Sequence, residues 1–185
     1  MRRLSVYNSV TLDGFFKDLH NDMSWAHQTD PEWNEFVAGN ASGDPTLLFG
    51  CVTYELMASY WPTPMATRNS GAVAERMNKL QKIVFSRALT EASWSNTRLL
   101  KSDLVAEVHK LKNQPGEDIV IFGSGSIVSQ LTQARLIDEY QIALNPTILG
   151  GGKTLFEGLK ELTLKLTKSR AFRNGNVFLC YEPAA

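Results

Sequence analysis

The chain lacks a surplus of either charge: 19 basic residues balance 19 acidic ones across 185 positions. Duplex nucleic acid and anionic lipid surfaces recruit a basic excess, so neither is an expected partner. Cysteine is scarce. Cys51 and Cys180 are the only two, too few for a disulfide framework and not spaced as a metal pair. His20, His27 and His109 form no His-x-x-His or His-Glu-x-x-His group, so no metal is expected. Long apolar runs are missing too. None approaches the ~20 residues that a membrane-spanning helix needs. Ser5, Asn8, Ser9 and Asp13 interrupt any signal-peptide stretch behind the basic Met1-Arg2-Arg3 opening. The expectation is a cytoplasmic chain with no membrane partner.

What is present is an ordinary globular composition, 43% apolar. A chain of this size buries roughly 70% of its unfolded surface, enough for one core without staples. One domain over residues 1–185 is expected, with no internal repeat and no low-complexity linker. Short apolar runs closed by turn residues stand at 3–10, 46–49, 82–85 and 118–122. The last three are continuous rather than alternating, as in strands covered on both faces, and they alternate with helical stretches. Helices are predicted at 31–38, 52–60, 102–112 and 126–134. The first opens with Asp30 as cap, Pro31 and an acidic first turn. Segment 62–79 is mixed, with prolines and a short helix as one reading. The final third holds a strand at 139–144 and a β-hairpin formed by 162–172 and 177–181 around Asn174-Gly175-Asn176. The fold class is therefore α/β, a three-layer α/β/α with a mostly parallel mixed sheet and an antiparallel C-terminal hairpin.

Gly150-Gly151-Gly152-Lys153-Thr154 resembles a triphosphate-binding P-loop only superficially. The motif needs a glycine at position 147, which is Thr. A glycine turn lining a pocket is the better reading. Gly123-Ser124-Gly125-Ser126 follows a strand and precedes a helix, where close backbone approach and open N–H groups favour a phosphate. The dinucleotide fingerprint would continue with glycine at 128, which is Val. The segment is either a generic anion turn or a plain tight turn. Gly50-Cys51-Val52-Thr53-Tyr54-Glu55 repeats the arrangement, with Thr53 in the first helical turn. It too reads alternatively as an ordinary helix start. Ser86-Arg87 lies at the same expected edge, and an arginine fork suits a phosphate monoester; a solvated loop arginine is the competing reading. Asp30, near Trp25 and Trp33, is the one candidate acid, since desolvation beside tryptophan raises a carboxyl pKa. Spacing alone favours the helix cap.

In this order the pieces resemble the dihydrofolate reductase-like superfamily, above all the reductase domain that ends the bifunctional deaminase–reductases of riboflavin biosynthesis. Ser9-Val10-Thr11-Leu12-Asp13-Gly14 resembles that domain's "S-x-D-G" opening. Thr147-Ile148-Leu149-Gly150-Gly151-Gly152 with Leu155-Phe156 is similar to its late glycine-rich segment. Trp25, Asp30 and Trp33 match the tryptophan and substrate carboxylate of dihydrofolate reductases. The turns at 50–55 and 123–125 resemble cofactor turns. The resemblance implies NADPH, NADH not being excluded, and hydride transfer to a pyrimidine or pteridine. The first candidate substrate is 5-amino-6-(5-phosphoribosylamino)uracil. Gly50, Thr53, Ser86, Arg87 and Gly123 to Ser126 would hold the cofactor. Asp13, Trp25, Asp30, Tyr54, Gly150 and Gly151 would line the substrate side, with Asp30 as catalytic residue. Two departures bear on this. Cys51 stands where dihydrofolate reductases usually carry a basic residue, and the deaminase half is absent from the chain. The alternatives are a dihydrofolate reductase proper and a non-catalytic nucleotide- or flavin-binding module, and a homodimer through the C-terminal hairpin is compatible with either.

Overall fold

Leu47, Leu48 and Phe49 are all buried, as are Ile83, Val84 and Phe85, the pattern of strands packed on both faces. The computed structural model describes residues 1–26, 30–40 and 43–184. Among these the elements run β1 (Leu4–Thr11), β2 (Phe15–Lys17), α1 (Pro31–Asn40), β3 (Thr46–Gly50), α2 (Cys51–Tyr60), α3 (Pro64–Lys79), β4 (Lys82–Phe85), β5 (Thr97–Leu100), α4 (Leu104–Asn113), β6 (Ile119–Phe122), α5 (Gly125–Gln133), β7 (Glu139–Asn145), β8 (Lys153–Thr154), β9 (Leu164–Ala171) and β10 (Val177–Pro183). A 3₁₀ turn covers Ser24–Ala26.

The main sheet has the order β5-β4-β3-β6-β1-β7-β10-β9. The strands from β5 to β7 are mutually parallel. β10 then runs antiparallel to β7 and to β9, forming the expected hairpin. Alternation along the strands sends two sets of side chains to opposite faces. On one face Val6, Leu48, Ile83, Phe85 and Ile121 meet Val108 and Leu111 of α4 and Ile127, Val128 and Leu131 of α5. On the other, Leu47, Phe49 and Val84 meet Tyr54 of α2 and Met77 of α3, with Trp94. Trp33 of α1 packs there against Ala143, Phe172 and Phe178. The three-layer expectation holds. Among the described residues, no helix is long and apolar enough to cross a membrane.

The differences lie in the polar segments. Segment 62–79 forms the 16-residue α3, capped by Thr63, whose Oγ1 accepts from the Ala66 N–H, and kinked at Ser70. β5 was not expected, because its run Thr97-Arg98-Leu99-Leu100 is half polar. β2 and β8 pair only with each other and make a separate two-stranded arm.

Candidate functional site

Two glycine turns meet at the carboxyl ends of β3 and β6. Gly123 (φ 63°) and Ser124 (φ 58°) are consecutive left-handed residues. This geometry costs a non-glycine side chain on the order of 1 kcal/mol. Ser124 is held there by three bonds. Its N–H donates to Thr53 Oγ1 (3.1 Å), its hydroxyl accepts from the Gly50 N–H (2.8 Å) and donates to the Phe122 carbonyl (3.3 Å). Thr53 and Ser124 therefore lace the turns together, and both are buried. Asn8 adds a further tie, donating from Nδ2 to the Gly123 carbonyl at 3.1 Å.

The lacing fixes two helix N-termini side by side. Asp103 caps α4 by accepting from the Ala106 N–H (2.8 Å), and Thr63 caps α3. Asp30 caps α1, its Oδ1 accepting from the Trp33 N–H at 2.8 Å. By contrast, α2 and α5 carry no side-chain cap. The first amides of a helix have no carbonyl partner inside it, and aligned peptide dipoles make that end electropositive. Both uncapped ends border one cavity of about 700 Å³, within the usual range for small-ligand sites.

Seven of the eight residues expected to hold a cofactor line that cavity: Gly50, Thr53, Ser86, Arg87, Ser124, Gly125 and Ser126. Gly123 lies just behind, and a Cβ there would fall 3.0 Å from Thr53 Cγ2. Ser86 is buried and its hydroxyl accepts from the Ala88 and Leu89 N–H groups (3.1 and 3.0 Å). That turn presents the exposed Arg87 at the rim.

The residues expected on the substrate side do not line this cavity. Tyr54 belongs to the core: it is buried, and its hydroxyl accepts from the Trp94 N–H at 3.0 Å. Its place on the buried face of α2 is the reason, a face that the sequence pattern shares between core and ligand. Asp30 and Trp25 are half-buried outside the lining, and α1 covers the opposite face of the sheet from α5. Asp13 acts on the backbone of the late loop. It accepts from the Thr11 hydroxyl (2.6 Å), the Leu149 N–H (3.1 Å) and the Gly150 N–H (2.8 Å). The Thr11 hydroxyl and then these amides hold its carboxyl below the ordinary range. Gly150 is exposed, and Gly151 lies against Leu19. Their segment serves to seat the arm: a Cβ at Gly152 would come 2.1 Å from the Lys17 carbonyl.

The arm contributes residues that the motifs did not flag. Phe16 is buried with Val10 and Leu155, and a Cβ on Gly125 would strike its ring at 2.6 Å. Phe16 thus docks the arm on the first residue of α5. Lys17 and Lys153, together with Lys101 after β5, also line the cavity. Nothing in the sequence pairs Lys17 with Lys153; only the β2–β8 register does.

The family model described as the RibD C-terminal domain matches residues 2–178. The uncharacterized protein YyaP of Bacillus subtilis is 29% identical over 184 residues, covering 98% of this chain and 95% of that one. A protein provisionally named for riboflavin biosynthesis, from Shewanella sp. PV-4, superposes with a TM-score of 0.77 at 24% identity, covering 99% of each chain. Dihydrofolate reductase from Enterococcus faecalis, complexed with NADP(H), superposes with a TM-score of 0.61 at 14% identity, covering 99% of this chain and 97% of that one. At these identities the structural likenesses establish the fold.

Proposed function

The chain belongs to the RibD C-terminal domain family, and from that premise we propose that it is an NADPH-dependent reductase of a pyrimidine or pteridine heterocycle. The first substrate to try is 5-amino-6-(5-phosphoribosylamino)uracil. One observation carries the reading: the two helices without side-chain caps open into a single cavity rimmed by cations. Backbone N–H groups and arginine are what phosphate oxygens require. NADPH, when bound, supplies a hydride to the heterocycle. The chain's own residues position it. Thr53 and Ser124 keep both turns in register, the first amides of α2 and α5 meet phosphate oxygens, and Arg87 faces the adenosine-side phosphate. A reductase of this kind gains most from holding two rings in reacting geometry.

On the substrate side, Trp25 and Asp30 are the proposed contacts. The cap takes one carboxylate oxygen of Asp30; the other is the atom proposed to accept from a heterocycle N–H. Cys51, half-buried in the lining where dihydrofolate reductases usually carry a base, favours a second reading, a module that binds the dinucleotide without turnover.

Calorimetric titration with NADPH and NADH tests the reading, followed by single-turnover oxidation with candidate heterocycles. The expected result is tighter binding of NADPH, by about tenfold for one arginine–phosphate contact, and loss of most turnover in Asp30→Asn with the fold intact. Failure to bind either cofactor overturns the reading. Binding without oxidation of any heterocycle selects the non-catalytic module, and full turnover in Asp30→Asn confines that residue to capping.

A further inference from the structure

Lys17 and Lys153 are directly opposed in the antiparallel β2–β8 pair. Like charges in such a rung oppose pairing, and the arm has very few rungs to spare. Among the described residues neither lysine makes an ion pair. Lys153 Nζ donates to the neutral Asn21 Oδ1 at 2.9 Å, and Lys17 Nζ lies 5.6 Å from the Phe16 ring centroid. Burial, and then the charge of Lys153, hold the Lys17 ammonium below its ordinary pKa. The pair is an electrostatic cost that the fold does not explain.

Its position does. Phe16, the residue before Lys17, rests on Gly125, so the arm touches α5 at its uncapped end. Lys17, Asn21 and Lys153 border the same cavity as Ser124, Gly125 and Ser126. Ile127 and Val128 already turn their N–H groups back to the Ser124 carbonyl. Gly125 and Ser126 open α5 and line the cavity, where first-turn amides have no carbonyl partner inside the helix, but a helix end offers only about half a positive charge. A diphosphate bridge carries two negative charges, more than that end balances, and cations beside it make up the difference.

The cavity's other cationic pole is distant. Arg87 and Lys101 follow β4 and β5, which lie two and three strands from β6. At about 4.8 Å per strand the poles stand roughly 10–14 Å apart. A mononucleotide phosphate would engage one of them; an elongated ligand with anionic groups at both places engages the two together.

We propose that Lys17 and Lys153, carried on the β2–β8 arm, form with the N-terminus of α5 a clamp for the diphosphate bridge of a dinucleotide, while Arg87 and Lys101 take a second, separate phosphate. The inference rests on the reductase reading for the dinucleotide and on the geometry of the arm for the clamp.

The test compares the wild type with Lys17→Met/Lys153→Met and Lys17→Arg/Lys153→Arg. Calorimetry uses three probes: inorganic pyrophosphate, 2′-AMP and NADPH. Circular dichroism checks that each variant folds. The clamp requires that the methionine variant weaken pyrophosphate and NADPH by at least about tenfold, with 2′-AMP within twofold of wild type and the arginine variant restoring the loss. Pyrophosphate that fails to bind wild type, or binds the methionine variant equally well, overturns the clamp; NADPH binding to wild type would still uphold the reductase reading. Pyrophosphate binding that the methionine variant loses, with NADPH and 2′-AMP failing on wild type, removes the dinucleotide and leaves the lysine anion site standing.

Discussion

Ser124 shows how much one residue can carry. It holds a left-handed conformation that glycine would adopt more cheaply, and its hydroxyl satisfies the buried Gly50 N–H. Replacing it by alanine removes that acceptor and keeps the backbone penalty. An unsatisfied buried donor costs about 1–3 kcal/mol, so the melting temperature of Ser124→Ala is expected to fall by about 2–12 °C for a chain of this size. On the reductase proposal, NADPH affinity should fall with it, because the α2 and α5 ends lose their register. Ser124→Gly separates the two effects, since it relieves the conformation but not the lost acceptor. If both variants melt as the wild type does, the lacing is not what holds the turns. Tyr54 gives the opposite lesson. It sits beside Thr53 in the same motif, yet one step around the helix turns it into the core.

At the scale of elements, the central strands were legible because their sequences are unambiguous. Leu47 to Phe49, Lys82 to Phe85 and Ile119 to Phe122 are too apolar to lie anywhere but inside a sheet. The glycine turns that close β3 and β6 followed, since Gly50 and Gly123 stand directly at the ends of those runs. The arm was not legible. β8 is two residues long, and β2 is held by the contacts of Phe16 with Gly125 and of Lys17 with Gly152 rather than marked by any period. α3 was obscured by Pro62, Pro64 and Gly71, although Thr63 and Pro64 make a good helix start. Asp13 ties the arm's base to the late loop, which yields a prediction at this scale. Its folded-state pKa is depressed, so its contribution is present above the ordinary aspartate value of about 4 and fades as pH falls through the lower folded value. Amide exchange at Leu149 and Gly150 should quicken, relative to intrinsic rates, as the solution is acidified. Asp13→Asn should show fast exchange there already at neutral pH. Exchange that is equally protected in the variant would detach Asp13 from this role.

For the whole molecule, zero net charge conceals an uneven distribution. The cavity gathers Lys17, Arg87, Lys101 and Lys153 against Asp103, so anions can be drawn to one edge of a neutral protein. Among the described residues Arg2, Lys82 and Lys112 are cations enclosed in the fold, and Lys82 is the most deeply buried. Lys82, at the start of β4, is 1% exposed. Its Nζ donates to the Leu80 carbonyl (2.6 Å) and the Asn78 carbonyl (3.2 Å), 4.5 Å from the Trp94 ring centroid. Burial lowers its pKa to about 8, while the carbonyls and the ring favour the charged form and keep it in place at neutral pH. In the unfolded chain a lysine titrates near 10.4. Between these values the unfolded state binds a proton that the folded state has released, so stability rises with pH across that window. The slope is at most about 1.4 kcal/mol per pH unit. Urea unfolding from pH 7 to 10 should therefore show wild type gaining on Lys82→Met, in which the charge is gone and the apolar stem is largely preserved. Tyrosines and the other lysines titrate in both proteins, so the difference between the two isolates Lys82. A difference that stays flat across the window would mean that the ammonium is retained in the folded state throughout, held by its two carbonyls and Trp94 against the pull of burial.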